Sequence, residues 1–238
     1  MRKRPCSGFS VTAGRPVVVW VTPDCFCRKP YLPSVARRRI DCPAQQKESS
    51  SANESVVTPD WVIVRDRTTI VAERAKVVEQ LGAHGAILHA GHQLCFEEYS
   101  TGVRRLHMPW RVFRKSIHEP EMRAALAQFE VLGTSVHSVS EALFAAETGL
   151  VSYLLVGTMF ATASHPEKSS PEFIEGIPLM RAVSQALSTS SLHLYGIGGI
   201  TPGNINQVLE AGAHGVATIR SIVPVLEYVA CKYENHSV

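Results

Sequence analysis

The sequence predicts one α/β domain, a TIM-type (β/α)8 barrel, with an N-terminal half that is incomplete or divergent. Its length of 238 residues is usual for one such barrel. In the second half of the chain, short apolar runs end in small or polar residues and are followed by helix-start signals, as in parallel strands that carry functional loops at their carboxyl ends. A helix, the tetrapeptide Gly-Ala-His-Gly and a strand follow one another twice, around 82–85 and 212–215, which indicates a repeated joint between helix and strand.

Composition and charge narrow the class of protein. Hydrophobic residues make up 45% of the chain and charged residues 19%, which allows a sizeable buried core, while the apolar runs are too short to span a membrane. Residues 1–60 hold ten Lys and Arg against five Asp and Glu, a net charge of +5; since the whole chain carries +3, the remainder carries −2. The excess positive charge belongs to the front segment, and we predict neither a nucleic-acid partner nor a membrane partner.

The front of the chain and the cysteines bear on domain limits and compartment. We assign residues 1–15 to a basic N-terminal extension and residues 16–238 to the barrel domain. The six cysteines include no Cys-x-x-Cys pair, which favours free thiols in a reducing, cytoplasmic compartment. Four basic residues precede the first acid, Asp24, among Ser, Thr and Gly, so the end of a plastid or mitochondrial transit peptide is the alternative.

The front half of the chain gives a broken pattern. Residues 16–22 predict a first strand, whereas 28–60 lack an apolar stripe at helical spacing and predict a poorly ordered insertion. Trp61–Val64 predicts a second strand and Thr69–Val71 a third. Only four residues separate these two runs, but a parallel crossover needs about a dozen or more. Either a segment is missing from this sequence or one run is not a barrel strand, and we favour the missing segment.

Further along the chain, helices and strands alternate more regularly. A helix over 73–81 leads to a strand at 86–89, but 90–130 show only two weakly helical pieces. Ser138 and Glu141 have the spacing of a capping box at the start of a helix. The remaining predicted elements are strands at 131–136, 153–156, 192–195 and 216–219, a long loop over 157–178, and helices near 178–189 and from Thr201 and Pro202 onward.

Two loops on consecutive strands predict an anion site. Gly198 and Gly199 end a strand just before a helix, and bare glycines let backbone N–H groups approach an anion. The next strand ends at Ile219 and is followed by Arg220 and Ser221. In a barrel these are the seventh and eighth loops, whose shared phosphate site uses exposed amides and a helix start. The alternative is a tight turn beside a solvated arginine.

Two other stretches carry residues suited to chemistry. The sixth loop carries Thr162, Ser164 and His165; hydroxyls and cations together suit a phosphate or carboxylate, although an ordinary polar loop has the same composition. Ser135 and His137 close the fifth strand. A histidine titrates near neutral pH and can shuttle a proton, so His137 is a catalytic candidate, and a structural histidine is the alternative.

Taken in order, the segments GTSVHS, LLVGTMFATASHPEK, GIGGITPGN and EAGAHGVATIRSI resemble the thiamine phosphate synthase and thiazole tautomerase (TenI-like) family. The resemblance is close from Gly133 onward, partial over 61–95 and nearly absent before that. It implies that a small phosphorylated thiazole binds at loops six to eight, with the hydroxyls of Thr162 and Ser164 near the thiazole. Thr158 stands where the tautomerase branch can have a catalytic histidine, which makes it our second catalytic candidate.

The same resemblance places a pyrophosphate near other residues. Ser135 matches a family serine close to the pyrophosphate, and Arg65 and Arg67 stand where the family has the cations of an REK motif. His165 occupies the position of the family's pyrophosphate-binding lysine. These residues keep anion-binding capacity but lose one fixed cation.

The metal side departs further from the family. When Val71–Arg74 is aligned with the family's VNDR, Ala72 replaces the Asn that contacts the pyrimidine and Glu73 replaces the metal-binding Asp. The second metal-binding Asp falls near His92 and is missing. Mg²⁺ is therefore the one cofactor that the resemblance implies, with Glu73 as its candidate ligand.

Three functions follow from the resemblance. We favour a TenI-like thiamine-biosynthesis barrel that binds a thiazole phosphate. The alternatives are a Mg²⁺-dependent thiamine phosphate synthase, which joins a pyrimidine pyrophosphate to the thiazole phosphate, and a non-catalytic protein that binds thiazole or thiamine phosphate. A different phosphate-binding barrel enzyme, such as a sugar-phosphate isomerase, is a rival outside the family. A homodimer is left open.

Overall fold

Eight parallel strands close into a barrel in the computed structural model, which describes residues 14–36, 56–82, 85–91, 102–162 and 174–233. The strands are β1 Val17–Val21, β2 Val35–Ala36, β3 Val56–Val57, β4 Trp61–Val64, β5 Ala86–His89, β6 Arg105–Met108, β7 Val131–Val136, β8 Tyr153–Gly157, β9 His193–Ile197 and β10 Gly215–Thr218. The barrel closes in the order β1-β10-β9-β8-β7-β6-β5-β4. The predicted barrel is confirmed.

Helices follow most of the barrel strands. They are α1 Val71–Gln80, α2 Trp110–Ser116, α3 Pro120–Leu126, α4 Val139–Glu147, α5 Gly176–Ala186, α6 Ile205–Glu210 and α7 Ile222–Tyr233. Within the described part of the chain, none is long and apolar enough to cross a membrane.

Two hydrophobic layers hold the barrel together. Successive side chains of a strand point to opposite faces, so Val18 and Trp20 of β1 pack outward with the helices while Val17, Val19 and Val21 point inward. The inner layer is unusually aromatic: the ring of Trp61 lies 5.3 Å from that of Tyr153, edge to face. Strands buried on both sides read as near-continuous apolar runs, as the first strand does.

Both ends of the segment predicted as a poorly ordered insertion are packed. Val35–Ala36 pairs with Val56–Val57 in an antiparallel ladder. Val35 and Val57 are buried, so both ends of the segment pack against the barrel. The sequence has no apolar stripe at helical spacing that would have predicted this packing. Residues 37–55 lie outside the described residues, as do residues 1–13 of the predicted basic extension.

The predicted third strand is wrong, and with it the need for a missing segment. Residues 67–68 form a turn, residue 69 lies in a bend, and α1 begins at Val71. This helix supplies the crossover from β4 to its parallel neighbour β5, which pairs Val62 with Ala86. Among the described residues, no barrel helix lies between β1 and β4. In this respect the front half of the fold differs from a regular (β/α)8 barrel.

The fourth barrel strand, β6, was not predicted. Its sequence, Arg-Leu-His-Met, alternates polar with apolar residues and contains no continuous apolar run. It pairs with both β5 and β7, and Leu106, His107 and Met108 are all buried. A histidine thus occupies an inward-facing position of this strand. The strand therefore lacks the continuous apolar run that usually marks a buried parallel strand.

The second half matches the predicted elements closely, with two local differences. The Ser138 hydroxyl accepts a hydrogen bond from the Glu141 backbone N–H at 3.2 Å, while the Glu141 carboxylate binds the N–H of His137 rather than that of Ser138. Helix α6 begins at Ile205 instead of Pro202, because the N–H of Thr201 donates to the Asn204 side chain at 2.9 Å and the intervening residues form a turn.

Gly133 of β7 provides a test of this packing. A Cβ added there would lie 2.1 Å from Cζ of Tyr153, inside the barrel. Gly133→Ala should lower the free energy of unfolding by about 2–3 kcal/mol, because a dense core has no room for an added methyl group. Thermal denaturation followed by circular dichroism should show Tm lower by roughly 4–12 °C. Gly82→Ala, where a Cβ meets nothing within 4 Å, is the control, and equal Tm values for the two variants would contradict the packing.

Candidate functional site

A cavity of about 590 Å³ opens at the carboxyl ends of the barrel strands. Most of the predicted site residues line it: Arg65, Arg67, Ser135, His137, Thr158, Thr162, Gly198, Gly199, Ile219, Arg220 and Ser221. Ser164 and His165 lie outside the described residues. Carboxyl ends of barrel strands are where such folds place their sites, because the loops that follow the strands converge there.

The glycine loop after β9 is held in a tight, specific shape. Gly198 and Gly199 have φ angles of +102° and +63°, which side-chain-bearing residues rarely adopt. A Cβ on Gly199 would lie 2.6 Å from the carbonyl oxygen of Ala161. The Asn204 amide donates to the Gly199 carbonyl at 2.9 Å, so Asn204, which sequence reasoning missed, braces the loop.

The second predicted loop lies beside it on β10. The carbonyl of Ile219 accepts a hydrogen bond from Trp20 Nε1 at 3.1 Å, which fixes the end of that strand. Arg220 is exposed, and Ser221 immediately precedes the twelve-residue helix α7. The first N–H groups of a helix lack intrahelical acceptors and carry the positive end of its dipole. Together the two loops have the composition and placement of a phosphate site.

The two arginines after β4 differ in how closely they pair with Asp24. Arg67 forms a two-pronged ion pair with Asp24, with Nη2 2.6 Å from Oδ2. The hydrogen bonds from Arg67 hold the pKa of Asp24 at about 2, so this pair is fully charged at neutral pH. Arg65 Nη1 lies 3.9 Å from the same carboxylate and its side chain is largely buried. Arg65 therefore keeps more capacity for a ligand than Arg67.

His137 lies in a defined hydrogen-bonded setting at the end of β7. Its Nδ1 is 2.5 Å from the carbonyl oxygen of Gly157 and 3.7 Å from Glu175 Oε1. The other carboxylate oxygen of Glu175 accepts from the Thr158 N–H at 2.8 Å. A carbonyl oxygen only accepts, so Nδ1 donates this hydrogen bond, and Nε2 is the acceptor whenever the ring carries a single hydrogen. Sequence spacing gave no sign of Glu175, which joins the two predicted catalytic residues.

A second histidine, His107 on β6, was also missed. It is buried inside the barrel, with Nδ1 2.9 Å from the Tyr153 hydroxyl and Nε2 3.0 Å from Ser135 Oγ. Ser135 lines the cavity, so this network reaches the predicted site from beneath. The histidine could have been noticed only if β6 had been recognised as a strand.

Arg74 is a further cation in the cavity wall. It is buried on α1, and its Nη1 donates to the backbone carbonyls of Asp66 and Thr69 at 3.0 and 2.7 Å. Its Nε is buried without a hydrogen-bond partner among the described residues. Burying a guanidinium is costly unless an anion balances it, so this wall is suited to an anionic ligand.

The cavity residues do not fit a Mg²⁺ site as far as the structure describes them. Mg²⁺ prefers octahedral oxygen ligation through carboxylates and substrate phosphates. No group of three or more His, Cys, Asp or Glu among the described residues is placed to hold a metal ion. Glu73, the predicted ligand, is exposed on the first turn of α1 and does not line the cavity.

Asp66 is the carboxylate that does line the cavity, but its oxygens are already in use. They accept hydrogen bonds from the N–H of Cys27 and from the N–H and hydroxyl of Thr68, at 2.6–2.9 Å. Burial raises the pKa of Asp66, but these hydrogen bonds outweigh it and hold the pKa below its usual value. The carboxylate therefore stabilises the loop after β4.

Comparison with known proteins agrees with the barrel and its loops. The family described as thiamine monophosphate synthase matches residues 59–222. The thiamine-phosphate synthase of Chloroflexus aurantiacus is 30% identical over 176 residues, 71% of this chain and 76% of that protein. That of Haloarcula marismortui is 37% identical over 115 residues, 48% of this chain and 53% of that protein. The chain thus spans about half the length of the second relative.

A solved structure extends the likeness to the fold. Thiamine phosphate pyrophosphorylase from Pyrococcus furiosus superposes with a TM-score of 0.51 at 20% identity, over 73% of this chain and 81% of that one. At this identity the superposition shows the shared barrel and nothing finer. Since the family match covers well over half of the sequence and one relative is matched over most of its length, this chain belongs to the thiamine monophosphate synthase family.

Proposed function

We propose that this chain is a TenI-like thiamine-biosynthesis barrel that binds a thiazole phosphate. The observation that carries the proposal is the meeting of the Gly198–Gly199 loop and the Arg220–Ser221 loop on one wall of the cavity. Each loop alone is weak evidence, but two neighbouring loops of this composition form the shared phosphate site of many barrels. Family membership makes a thiazole phosphate the natural ligand.

In this arrangement the phosphate lies against backbone N–H groups and one cation. Gly198 and Gly199 adopt positive φ angles and carry no side chains, so an anion can approach the loop backbone closely. The start of α7 adds its dipole, and Arg220 adds a charge-assisted hydrogen bond. The thiazole ring then extends over the centre of the barrel mouth, towards the ends of β7 and β8.

At that centre His137 is our proposed proton carrier. A tautomerase moves a proton from one position of a thiazole carboxylate phosphate to another, which requires a group that accepts the proton and returns it. Nε2 of His137 can do both, because Nδ1 is held by the Gly157 carbonyl and the imidazole is partly exposed to the cavity. The hydroxyl of Thr158 cannot act as a base at neutral pH, so its role is hydrogen bonding to the ligand.

A Mg²⁺-dependent thiamine phosphate synthase is the second candidate, because both relatives named above are synthases. The described cavity, however, lacks residues placed to hold the metal. A non-catalytic binding protein is the third candidate, favoured by the threonine at the position of a catalytic histidine.

The phosphate site can be tested with a pair of glycine variants. Gly199→Ala should weaken thiazole phosphate binding at least about tenfold, or roughly 1.4 kcal/mol, because the added methyl group displaces the loop backbone. Gly203→Ala is the matched control in the same loop: the nearest atom to its Cβ would be Thr201 Oγ1 at 3.9 Å, and Gly203 does not line the cavity. Isothermal titration calorimetry measures both.

Arg220→Ala should give a loss of similar size in the same titration, without any change in loop packing, because the Arg220 side chain is exposed. Equal affinities for the wild type, the Gly199 variant and the Arg220 variant would show that the phosphate does not bind at these two loops. Failure of the wild type to bind thiazole phosphate at all would remove the proposed function.

A further inference from the structure

His107 lies beneath the cavity and connects the barrel interior to Ser135. Its side chain is 1% exposed, and Tyr153 is 0% exposed. The two ring nitrogens have one partner each, the Tyr153 hydroxyl at 2.9 Å and Ser135 Oγ at 3.0 Å. The imidazole is therefore a bridge between a core hydroxyl and a hydroxyl that faces the cavity.

The protonation state of this bridge follows from its burial. Burial lowers the pKa of His107 to about 3, so the ring is neutral at physiological pH and has a single N–H. Burial, with a smaller contribution from Tyr195, raises the pKa of Tyr153 well above its usual value, so that phenol keeps its hydrogen. A neutral imidazole can donate to one of its two partners and must accept from the other.

The Tyr153 hydroxyl decides which nitrogen donates. Among the described residues it has one hydrogen-bond partner, Nδ1 of His107, and it is sealed from solvent. If Nδ1 carried the hydrogen, the phenolic O–H would be left without an acceptor, and an unmade hydrogen bond from a buried donor is costly. Tyr153 therefore donates to Nδ1, and Nε2–H donates to Ser135 Oγ.

Ser135 then has its own hydrogen free for the cavity. Its oxygen already accepts from His107, so its O–H is directed to whatever ligand atom lies above it. The same cavity is lined by Arg65 and Arg74, while the carboxylate of Asp66 is occupied by its own hydrogen bonds. The ligand atom at Ser135 is thus a hydrogen-bond acceptor in a positively charged setting.

We propose that His107 is a positioning residue, which makes Ser135 a hydrogen-bond donor to a second anionic group of the ligand, distinct from the phosphate. Ser135 ends β7, whereas the phosphate loops follow β9 and β10, so one phosphate cannot be assigned to both places. The second group is a carboxylate on the thiazole or a pyrophosphate, which the family resemblance already places near Ser135; the new element is the control of the Ser135 hydrogen by His107. This inference rests on the proposed function for the identity of the ligand, but not for the state of His107.

The state of His107 can be measured without any ligand. Nitrogen NMR of the full chain, labelled with ¹⁵N-histidine and assigned with His107→Gln, should show the Nε2–H tautomer for this ring at neutral pH. The Nδ1–H tautomer, or a charged ring, would overturn the inference, whether or not the protein binds a thiazole.

Binding tests whether His107 acts through Ser135. The probes are thiazole carboxylate phosphate, thiazole phosphate and inorganic pyrophosphate. Ser135→Ala and His107→Phe should each weaken the probe that carries the second anion about tenfold, and the double variant should be no weaker than Ser135→Ala alone. Thiazole phosphate, which lacks that group, should bind all variants equally. A loss confined to the carboxylate probe, or to pyrophosphate, identifies the source of the anion.

Two further variants separate positioning from packing. His107→Gln places an amide donor near Ser135 and should recover part of the lost affinity even if His107→Phe folds poorly. Tyr195→Phe is the control, because the Tyr195 hydroxyl is buried without a partner in the described structure and its ring lies 5.8 Å from that of Tyr153. Additive losses in the double variant, or a loss with Ser135→Ala but not with His107→Phe, would overturn the proposal. If the wild type binds no thiazole probe, the proposed function is wrong. The tautomer measured by NMR still tests the inferred state of His107.

Discussion

Purified protein supplied with pyrimidine pyrophosphate, thiazole phosphate and saturating Mg²⁺ should form thiamine phosphate at a rate close to background. In the synthase reaction a pyrophosphate leaves, and its charge must be neutralised in the transition state by metal and fixed cations. Among its described residues the cavity has cations but no group of carboxylates placed to hold the metal. The expected loss is the largest effect that we predict for this chain.

Three residues, two on α1 and one in the loop after β4, underlie this expectation. Ala72 and Glu73, aligned with the family's pyrimidine-binding Asn and metal-binding Asp, are exposed on α1 and do not line the cavity. Arg67 is held in an ion pair with Asp24. Losing one electrostatic contact of this kind typically lowers the rate about a hundredfold or more. Several losses should bring turnover near background, although such effects need not add.

The assay needs a positive control and a binding measurement. The thiamine-phosphate synthase of Chloroflexus aurantiacus, assayed in the same mixture, shows that the substrates and metal are competent. Calorimetry with thiazole phosphate shows that the present chain is folded and binds. Robust formation of thiamine phosphate would contradict our interpretation and return the chain to the synthase branch.

The second half of the fold could be predicted because its local signals agree with its tertiary role. Strands such as Tyr153–Gly157 are buried on both faces and therefore appear as apolar runs, and glycines mark the turns that follow. The two loops of the candidate phosphate site could be located for the same reason: each is a short motif within one strand–loop–helix unit. Such signals need no knowledge of distant residues.

The front half could not be predicted in this way. Thr69–Val71 consists of β-branched residues and predicts a strand, but Ile70 is 67% exposed and Val71 begins the helix that the barrel requires between two parallel strands. Tertiary connection thus overrides local preference. Conversely, Arg105–Met108 contains a buried histidine and an arginine and shows no strand signal, yet it completes the barrel.

The missed site residues share one cause. His107 and Ser135 are 28 residues apart and Glu175 is 38 residues beyond His137, and they meet only because parallel strands bring their carboxyl ends together. No spacing rule in the sequence connects them. The candidate residues could be found from motifs, whereas the hydrogen bonds that set their chemical state required the fold.

His137→Gln should slow proton transfer strongly while leaving ligand binding nearly unchanged. General acid–base catalysis by a positioned side chain contributes about 10²–10⁴-fold, so we expect a loss of roughly a thousandfold in turnover, about 4 kcal/mol in activation free energy. Glutamine can still donate to the Gly157 carbonyl, and the exposed side chain makes no core contact that the substitution would remove. The substitution leaves untouched the two loops that we propose bind the phosphate.

The measurement is exchange, for solvent deuterium, of the hydrogen of thiazole carboxylate phosphate that the tautomerisation moves, followed by proton NMR, with affinity from calorimetry. His118→Gln is the matched control, because His118 is exposed on the turn between α2 and α3 and does not line the cavity. Glu175→Gln should lower the rate by a smaller factor, since its carboxylate lies 3.7 Å from Nδ1 and acts through the imidazole. Exchange at the wild-type rate in His137→Gln would assign the proton transfer to another group. Tight binding with no exchange in the wild type would instead identify a non-catalytic thiazole-phosphate-binding protein.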